Sequence, residues 1–428
     1  MIETVKIRKR DIHLPEPESH PAEISQGGIF LQMTRRWLHD YRLVHSARHL
    51  KSPLFPLFRR LGAKSFLVYN HCLHAVDFDG QTKDQEYEAI RNGVTMWDVS
   101  VERPVEIDGP DGFTLMDLLT PRDMRKCQVG QCKYAIICDE NGGMVNDPVV
   151  LRLSENRFWL CPADSDLHLW VKGVAVGMGL RTTVRQPEVF PIQLQGPKSP
   201  DLLRALVGDR IKTLRYYWWM KAEMGNGIPI IITRTGWTGE VGYEIFLLDN
   251  SQAEVMIDLI VAKGKAFDLI PAGPNHPRRV EAGILNYQAD MSLDTNPYEL
   301  GLDWQVDLSK ERFIGKDALV GVKRDGIRRK LIGLLVEGEQ VPIEFEEPWV
   351  VFKDEHLVGR ATAVLYSPSL KTNIGYAMVS IEHSAPGGVL EVQPYPEQRR
   401  YRAKVVTLPF VDPKKDIPKL RMDATAGR

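Results

Sequence analysis

The sequence has 428 residues, enough for two or three domains, and its 43% hydrophobic and 26% charged residues are typical of a soluble globular protein. The net charge of −1 argues against a nucleic-acid-binding protein, because such proteins carry a large positive surface. No apolar run approaches the roughly 20 residues of a membrane span, and the first residues lack the apolar segment of a signal peptide.

Residues 1–45 are interpreted as an extension to the folded part of the chain. Three prolines between positions 15 and 21 interrupt regular structure, and MTRRWLHDYRLV at 33–44 is predicted to form one short amphipathic helix. Residues 1–60 contain 11 Lys and Arg against 6 Asp and Glu, a local charge of +5. A solvated arm and an arm that binds a partner both fit this pattern, and the solvated arm is favoured.

Cysteine usage indicates a reducing compartment. The sequence has five cysteines, an odd number, without a CxxC pair and without the spacing of a metal site. In a chain of this length they are expected to be reduced, mostly buried thiols of a cytoplasmic protein, and no metal is predicted. The cysteines are Cys72, Cys127, Cys132, Cys138 and Cys161.

From about Ser65 the pattern alternates between helix and strand. The clearest helix begins after the N-cap candidate Thr82 and ends at Gly93, since a hydroxyl can accept from the first backbone amides and glycine suits the C-terminal end. Strands are predicted at 64–78, 101–109 and 156–163, hairpins at 133–153 and 228–248, and further helices at 109–121, 199–208, 251–267 and 277–287.

The C-terminal part changes to evenly spaced short strands, which indicates a small closed antiparallel barrel. The predicted fold class is therefore α+β, with mixed or antiparallel sheets and helices followed by a C-terminal β-barrel. The predicted segments are the extension 1–45, a region of two αβ subdomains at 46–325, the barrel at 326–412 and a disordered tail at 413–428.

Four groups of polar and aromatic side chains could carry chemistry. In one of them, residues 134 and 147 lie on the two strands of one predicted hairpin, where cross-strand neighbours share a face. In another, a glycine-rich loop lets backbone approach a flat ligand. The groups are Tyr134 with Asp147, Trp237 with Tyr243 and Glu244, Arg279 with Glu281, and Tyr69 with Asn70 and His71.

Each group also has a structural explanation. Trp97 and Trp237 fit a hydrophobic core, Arg279 and Glu281 fit a structural ion pair, and His71 fits a core histidine whose hydrogen bonds are satisfied. Nucleophile-elbow, P-loop and zinc motifs are missing from the sequence. The residues alone therefore leave the function open.

Several contiguous motifs stand out along the chain. They are DVS at 98–100, YAIICDENGGMVND at 134–147, RTGWTGEVGYEIF at 234–246, RRVEAGILNYQADM at 278–291 and NPYELGL at 296–302. These motifs resemble the folate-binding aminomethyltransferase family, which includes the glycine-cleavage T-protein and tetrahydrofolate-dependent demethylases. The resemblance covers about residues 65–400, and within the family it is strongest to demethylases of dimethylsulfoniopropionate. The demethylase-like runs include VYNH at 68–71, WDVSVERPVEI at 97–107, TPRDM at 120–124, ADSDL at 163–167 and DMSLDTNPYELGL at 290–302.

Two positions depart from the T-protein pattern. Val101 follows DVS where that pattern has a histidine, and Asn146 with Asp147 replaces its pair of acids. The cysteine-containing KGCYTGQE signature of the iron–sulfur-repair relatives is also absent. The missing signature disfavours the iron–sulfur branch.

The resemblance implies that tetrahydrofolate is the methyl acceptor, and it implies roles for several residues. Asp147, with Tyr134, is expected to act in catalysis beside the folate, because a fixed carboxylate stabilises developing positive charge and can take a proton. Glu244 is expected to accept hydrogen bonds from the pterin edge. Tyr134, Tyr243 and Trp237 are expected to supply ring walls or a hydroxyl, and Arg279 either contacts the pterin or orients Glu244 and Asp147.

The expected methyl donor is a small sulfonium compound, whose neutral thioether leaves without acid help. Aromatic faces attract such cations, and a basic side chain would bind a carboxylate on the donor. A betaine, dimethylglycine or aryl methyl ether donor, and a folate-binding protein without turnover, stay as alternatives. A homo-oligomer is possible, whereas nucleic-acid and membrane partners are not expected. The candidate donor-binding residues are Tyr69, His71, Trp97, Trp237, Lys51 and Arg103.

Overall fold

The computed structural model describes residues 46–225, 227–341, 349–394 and 399–420. The predicted extension at 1–45, including its helix at 33–44, lies outside the described residues. Within the described residues, no helix combines the length and apolarity needed to cross a bilayer.

The chain begins with a short helix and a hairpin. Helix α1 (Phe55–Arg60) precedes strands β1 (Ala63–Tyr69) and β2 (Cys72–Phe78). Asn70 and His71 connect these strands with φ of 46° and 64°, the left-handed backbone that a tight two-residue hairpin requires. The prediction of one strand with a polar interruption at 64–78 was therefore wrong, because the interruption is a turn.

The predicted helix after Thr82 is confirmed. Helix α2 (Lys83–Asn92) begins with a capping box, in which the Thr82 hydroxyl accepts from the Gln85 amide while the Gln85 side chain accepts from the Thr82 amide. Gly93 follows the last helical residue.

Two sheets make up most of the N-terminal region. Their strands are β3 (Val94–Asp98), β4 (Val105–Asp108), β5 (Cys132–Tyr134), β8 (Val149–Arg152), β9 (Phe158–Cys161), β10 (Thr183–Arg185), β11 (Phe190–Gln195), β12 (Trp219–Met224), β13 (Ile228–Thr233), β14 (Gly242–Leu247) and β15 (Leu269–Pro271). The larger sheet has the order β12–β13–β14–β11–β3–β15, with β15 parallel to β3, and the smaller has the order β10–β4–β9–β8–β5.

The predicted hairpin at 133–153 is interrupted. Strands β6 (Ile137–Cys138) and β7 (Met144–Asn146) pair with each other, whereas β5 pairs with β8. The break falls at Asp147 and Pro148, where proline has no amide to donate to a ladder. It leaves Asp147 between two short ladders rather than inside one.

Helices cover the sheets. The helix predicted at 277–287 is shorter than expected, because it ends at Glu281 and the chain then turns at Gly283, whose φ is 70°. The helices are α3 (Gly112–Leu119), α4 (Leu167–Gly177), α5 (Ser199–Val207), α6 (Ala253–Gly264), α7 (His276–Glu281) and α8 (Lys316–Asp325).

The predicted C-terminal barrel is confirmed as a closed barrel with the strand order β16–β19–β18–β17–β20–β21. The barrel strands are β16 (Arg329–Val336), β17 (Trp349–Lys353), β18 (His356–Ser367), β19 (Thr372–Ser380), β20 (Val389–Gln393) and β21 (Tyr401–Val406).

After the barrel, helix α9 (Asp416–Lys419) follows a connecting segment. Arg234 donates to the carbonyl oxygens of Pro418, at 3.2 Å, and Leu420. The expectation of disorder directly after Pro413 was therefore wrong up to residue 420.

The functional site is positioned by the packing of the two sheets. Ile231 and Phe246 of the larger sheet belong to one buried cluster with Cys132, Trp159 and Cys161 of the smaller sheet. The opposite face of the larger sheet packs on α5 and α6. Because side chains alternate along a strand, neighbouring residues of β14 lie on these two different faces.

Candidate active site

Tyr134 and Asp147 meet, as the sequence predicted. The Tyr134 hydroxyl donates to Oδ2 of Asp147 at 2.9 Å, and both side chains are half-buried. Burial raises the pKa of Asp147 to about 7, although the hydrogen bond from Tyr134 acts in the opposite direction. Near neutral pH this carboxyl group can therefore hold or accept a proton.

Tyr69, at the end of β1, belongs to the same site. Its pKa is raised well above the ordinary value by burial and by the negative charges of Glu102, Asp147 and Asp164. The β1–β2 turn is fixed here because the Asn70 amide donates to Oδ1 of Asp164 at 2.7 Å. The hairpin thus places a tyrosine hydroxyl among three carboxyl groups.

Glu244 lies on the face of β14 that meets the smaller sheet. Its carboxylate accepts from Nε2 of Gln193 at 2.7 Å and from the Thr235 hydroxyl at 2.8 Å. Burial raises the pKa of Glu244 despite these hydrogen bonds. The Oε1 atom of Gln193 is buried without a partner among the described residues, so this face still has unused acceptor capacity.

Glu102 was missed by the sequence analysis. It ends a short 3₁₀ helix (Ser100–Glu102), and its Oε2 atom is buried without a partner among the described residues. Burial, followed by the charge of Glu244, raises its pKa well above the ordinary value. The only signal was a glutamate within VERPVEIDG, a segment that alternation had assigned to a strand.

Arg279 does not bond to Glu244 or Asp147, contrary to one of the two roles expected for it. Its Nη1 lies 2.6 Å from Oδ2 of Asp290 and 3.1 Å from the carbonyl oxygen of Ile284. The guanidinium also lies 5.6 Å from the centre of the half-buried Trp237 ring. Arg279 thus orients Asp290, whose negative charge contributes to the raised pKa of Asp147.

Two aromatic residues were assigned wrongly. Tyr243 points to the opposite face of β14 from Glu244 and is fully buried in the core beside α5 and α6, so it cannot form a wall of the site. Trp97 is 2% exposed, and its indole N–H donates to the Thr95 hydroxyl at 2.9 Å. Both interpretations as ligand-binding rings fail because the rings are enclosed by protein.

Of the remaining expected donor-binding residues, two line a common pocket and Lys51 does not. His71 and Arg103 line a pocket of about 200 Å³ together with Glu102. Nε2 of His71 lies 2.9 Å from Asp166, and Arg103 bonds to the Asn70 carbonyl oxygen at 3.1 Å. The Lys51 side chain lies on the surface with its ammonium over the Phe55 ring, which gives no support to a role in the site.

The site is rich in hydrogen-bond acceptors. Among the described residues, no Lys or Arg forms an ion pair with Asp147, Glu102, Glu244 or Asp164. The residues therefore fit a ligand with several N–H donors or a positive charge, and the edge of a reduced pterin has such donors. In the described part of the chain, no group of three or more His, Cys, Asp or Glu is arranged to hold a metal ion.

Comparisons with known proteins agree with this architecture. Residues 54–310 match the family described as GCVT N-terminal domain, and residues 329–412 match the glycine cleavage T-protein C-terminal barrel domain. The chain is 33% identical over 348 residues to the dimethylsulfoniopropionate demethylase of Ruegeria pomeroyi, covering 81% of this chain and 94% of that protein. It is 32% identical over 366 residues to an aminomethyltransferase of Listeria monocytogenes, covering 84% and 98%.

A solved structure shares the fold. The glycine cleavage system aminomethyltransferase T from Bartonella henselae superposes with a TM-score of 0.73 at 23% identity, covering 85% of this chain and 98% of that one. Together with the matches to both the N-terminal region and the barrel, this shows that the chain belongs to the folate-dependent aminomethyltransferase family of the glycine cleavage T-protein, whose members transfer one-carbon units.

Proposed function

We propose that this protein is a tetrahydrofolate-dependent demethylase that moves a methyl group from dimethylsulfoniopropionate to N5 of tetrahydrofolate. The observation that carries the proposal is the Tyr134–Asp147 pair, in which a hydrogen-bonded carboxyl group has a pKa of about 7. The acids around it form no ion pair with a Lys or Arg of the described residues. The similarity to the Ruegeria demethylase over 94% of its length supports the choice of reaction. The buried free cysteines support a cytoplasmic location.

Asp147 is proposed as the catalytic carboxylate. When bound, tetrahydrofolate supplies a secondary amine nitrogen that takes up the methyl group and then loses a proton. Asp147 stabilises positive charge that develops beside it and accepts this proton, for which a pKa of about 7 is well matched at neutral pH. Tyr134 holds the carboxylate in place by donating to Oδ2.

Glu244 and Gln193 are proposed to bind the pterin edge. Glu244 has two oxygens that can accept N–H bonds, and the buried Oε1 of Gln193 is one more acceptor on the same face. Glu102 offers a further buried oxygen beside them. Arg279 is proposed to act indirectly, because its partner is Asp290.

A cationic donor suits the same surroundings. Carboxylates of Asp147, Glu102 and Asp164 surround the half-buried Tyr69, so a sulfonium or ammonium group would gain both charge attraction and a ring face. The sulfonium is favoured because its leaving group is a neutral thioether. An aryl methyl ether would leave as a phenoxide and would require a proton from the protein.

The test is formation of 5-methyltetrahydrofolate with a panel of donors. We expect turnover with dimethylsulfoniopropionate and little or none with betaine, dimethylglycine or a methoxybenzoate. Turnover confined to an ammonium or methoxy donor would contradict the proposed substrate. Folate binding without turnover of any donor would instead favour a non-catalytic folate-binding protein.

The similarity to aminomethyltransferases favours a second candidate, the transfer of an aminomethyl-derived carbon in glycine cleavage. That reaction depends on a lipoylated carrier protein, whereas demethylation of a free sulfonium does not. The same assay with and without the carrier therefore separates the two candidates.

A further inference from the structure

Two half-buried cations lie near the Tyr134–Asp147 pair without an acidic partner. Arg122 and Lys133 form no ion pair with any Asp or Glu of the described residues. Arg122 donates to the carbonyl oxygen of Tyr134, the residue that follows Lys133 in β5. Burial lowers the pKa of both cations, and the charge of Arg122 lowers the pKa of Lys133 further. Like charges held together in a partly desolvated place cost free energy unless an anion compensates them.

Their sequence neighbours behave differently. Arg125 donates to Asp123 at 2.8 Å, and Lys126 lies 3.2 Å from Asp307. Both of these cations are on the surface, where pairing with acids is optional. Among the residues that the structure describes, the exposed bases of this segment therefore have acidic partners and the half-buried ones have none.

Trp304 connects Arg122 to the active site. The Arg122 guanidinium lies 5.1 Å from the centre of the Trp304 ring, and it donates to the carbonyl oxygen of Tyr134. The Trp304 and Tyr134 rings are 6.5 Å apart. Trp304 is 60% exposed, which is unusual for a tryptophan that contacts a buried site.

We propose that Arg122 and Lys133, flanked by the exposed ring of Trp304, form a carboxylate-binding subsite at the rim of the active site. This inference rests on the proposed function, because it concerns the ligands of that reaction. Arg122 still has guanidinium N–H groups beyond the one bonded to Tyr134, so it can bind a carboxylate through two hydrogen bonds. Lys133 adds a second charge, and Trp304 adds a flat surface for an aromatic group.

Two ligands of the reaction carry a carboxylate. The folate tail consists of an aromatic aminobenzoyl group followed by glutamate, and the propionate of the donor is a shorter acid. The two sources share the same chemistry at Arg122 and Lys133. They differ because the folate tail carries an aromatic ring next to its acid, which Trp304 can contact, whereas the propionate of the donor has no ring.

The experiment measures binding by titration calorimetry to the full chain, without turnover. Four probes are used: tetrahydrofolate, 6-methyltetrahydropterin, which lacks the tail, dimethylsulfoniopropionate, and trimethylsulfonium, which lacks the carboxylate. The variants are Arg122→Gln, Arg122→Lys and Lys133→Gln, with Arg125→Gln as the matched control. Lys133→Gln removes no hydrogen bond found in the described residues, so it tests the charge even if Arg122→Gln folds poorly.

If the tail is the source, Arg122→Gln and Lys133→Gln weaken tetrahydrofolate binding by about 10- to 100-fold and leave 6-methyltetrahydropterin binding unchanged. If the donor is the source, the same loss occurs for dimethylsulfoniopropionate and not for trimethylsulfonium. Arg122→Lys restores part of the affinity in either case, and Arg125→Gln has no effect.

Two results would overturn the inference. One is wild-type affinity of Lys133→Gln and Arg122→Gln for all four probes; the other is equal loss for a probe and its carboxylate-free counterpart, which would indicate a general structural role. If the wild-type protein binds none of the probes, the proposed function itself fails and the subsite with it. If the wild-type protein binds folate and the variants keep wild-type affinity for all probes, only the subsite is ruled out and the proposed function stands.

Discussion

Two groups of acids among the described residues differ in how their negative charge is compensated. In the first, which we call the arginine clamp, Glu240 and Glu281 are both bonded to Arg278, at 2.9 Å in each case. In the second, the open acid site, Asp147, Glu102 and Glu244 have no cationic partner among the described residues. The clamp acids are buried and those of the open acid site are buried or half-buried, so both groups are partly removed from water. They differ in whether the protein itself supplies the positive charge.

The clamp joins parts of the fold. Glu281 is fully buried, the Tyr87 hydroxyl lies 2.9 Å from both of its oxygens, and the hydroxyl groups of Ser367 and Ser369 lie 2.5 and 2.8 Å from Oε1. Ser367 ends β18 of the barrel, so the clamp ties the barrel to α2 and α7. When the protein itself compensates the negative charge of a buried acid, a structural role is indicated, whereas an uncompensated acid indicates a place for a ligand.

The largest effect is expected from breaking the clamp. Glu281→Ala leaves Arg278 with only Glu240 and removes the acceptor of three hydroxyl groups, so it should lower the free energy of unfolding by about 3–5 kcal/mol. Urea unfolding of the purified variant measures this change. Glu254→Ala is the control, because it removes one partner of an exposed ion pair with Arg60 and should cost less than about 1 kcal/mol.

If Glu281→Ala were as stable as the control, the clamp would not be a structural element, and the distinction between the two acid groups would fail. A loss of folate affinity without loss of stability would instead place Glu281 in the open acid site.

The next largest effect is expected on turnover. Asp147→Asn keeps an acceptor for the Tyr134 hydroxyl but removes the charge and the proton acceptor, so kcat should fall roughly 10²- to 10³-fold. Folate affinity should change much less, because Asn retains the shape of the side chain. Equal loss of kcat and affinity would assign Asp147 to binding rather than catalysis.

The sequence predicted more of the fold than of the site, and particular residues explain why. The capping residues Thr82 and Gln85 and the evenly spaced barrel strands are local signals, and both predictions are confirmed. The assignment of Tyr243 failed although its neighbour Glu244 faces the site, because motif matching does not distinguish the two faces of a strand.

The ion pairs could not be predicted because they depend on contacts between distant segments. RRVEAG pointed to Arg279 with Glu281, yet Arg278 is the partner of Glu281, and Arg279 bonds to Asp290. Adjacent residues of a helix point in different directions, and only the packing of α7 on the barrel decides which arginine meets which acid. Glu102 was missed for a related reason, since its isolation becomes visible only when its surroundings are known.

A smaller effect should separate binding from chemistry within the open acid site. Glu244→Ala removes the acceptor of Gln193 and Thr235 and, by the proposal, the main acceptor for the pterin, so the Kd for tetrahydrofolate should rise about 10- to 100-fold. Calorimetric titration gives the Kd. Glu240→Ala, from the clamp, is the contrasting variant: it should lower stability and leave the Kd of the folded fraction unchanged.

The smallest effect concerns the contribution of Asp147 to the pH dependence of stability. The folded-state pKa of Asp147 is raised to about 7, above its ordinary value of 3.8, so between these values the folded protein holds a proton that the unfolded chain has lost. The free energy of unfolding therefore falls as the pH rises through this window. In Asp147→Asn the contribution of Asp147 to this decrease is absent. Because the side chain is only half-buried, we expect the variant to gain of the order of 1 kcal/mol relative to the wild type between pH 4 and pH 8.

Urea unfolding of both proteins at several pH values tests this expectation. Removing a charge from the open acid site should stabilise the fold at pH 8, whereas removing Glu281 from the clamp should destabilise it at every pH. Parallel stability curves for the wild type and Asp147→Asn would mean that Asp147 is already compensated in the folded protein. The open acid site would then differ from the clamp only in which groups compensate it, and the physical argument for a ligand beside Asp147 would be lost.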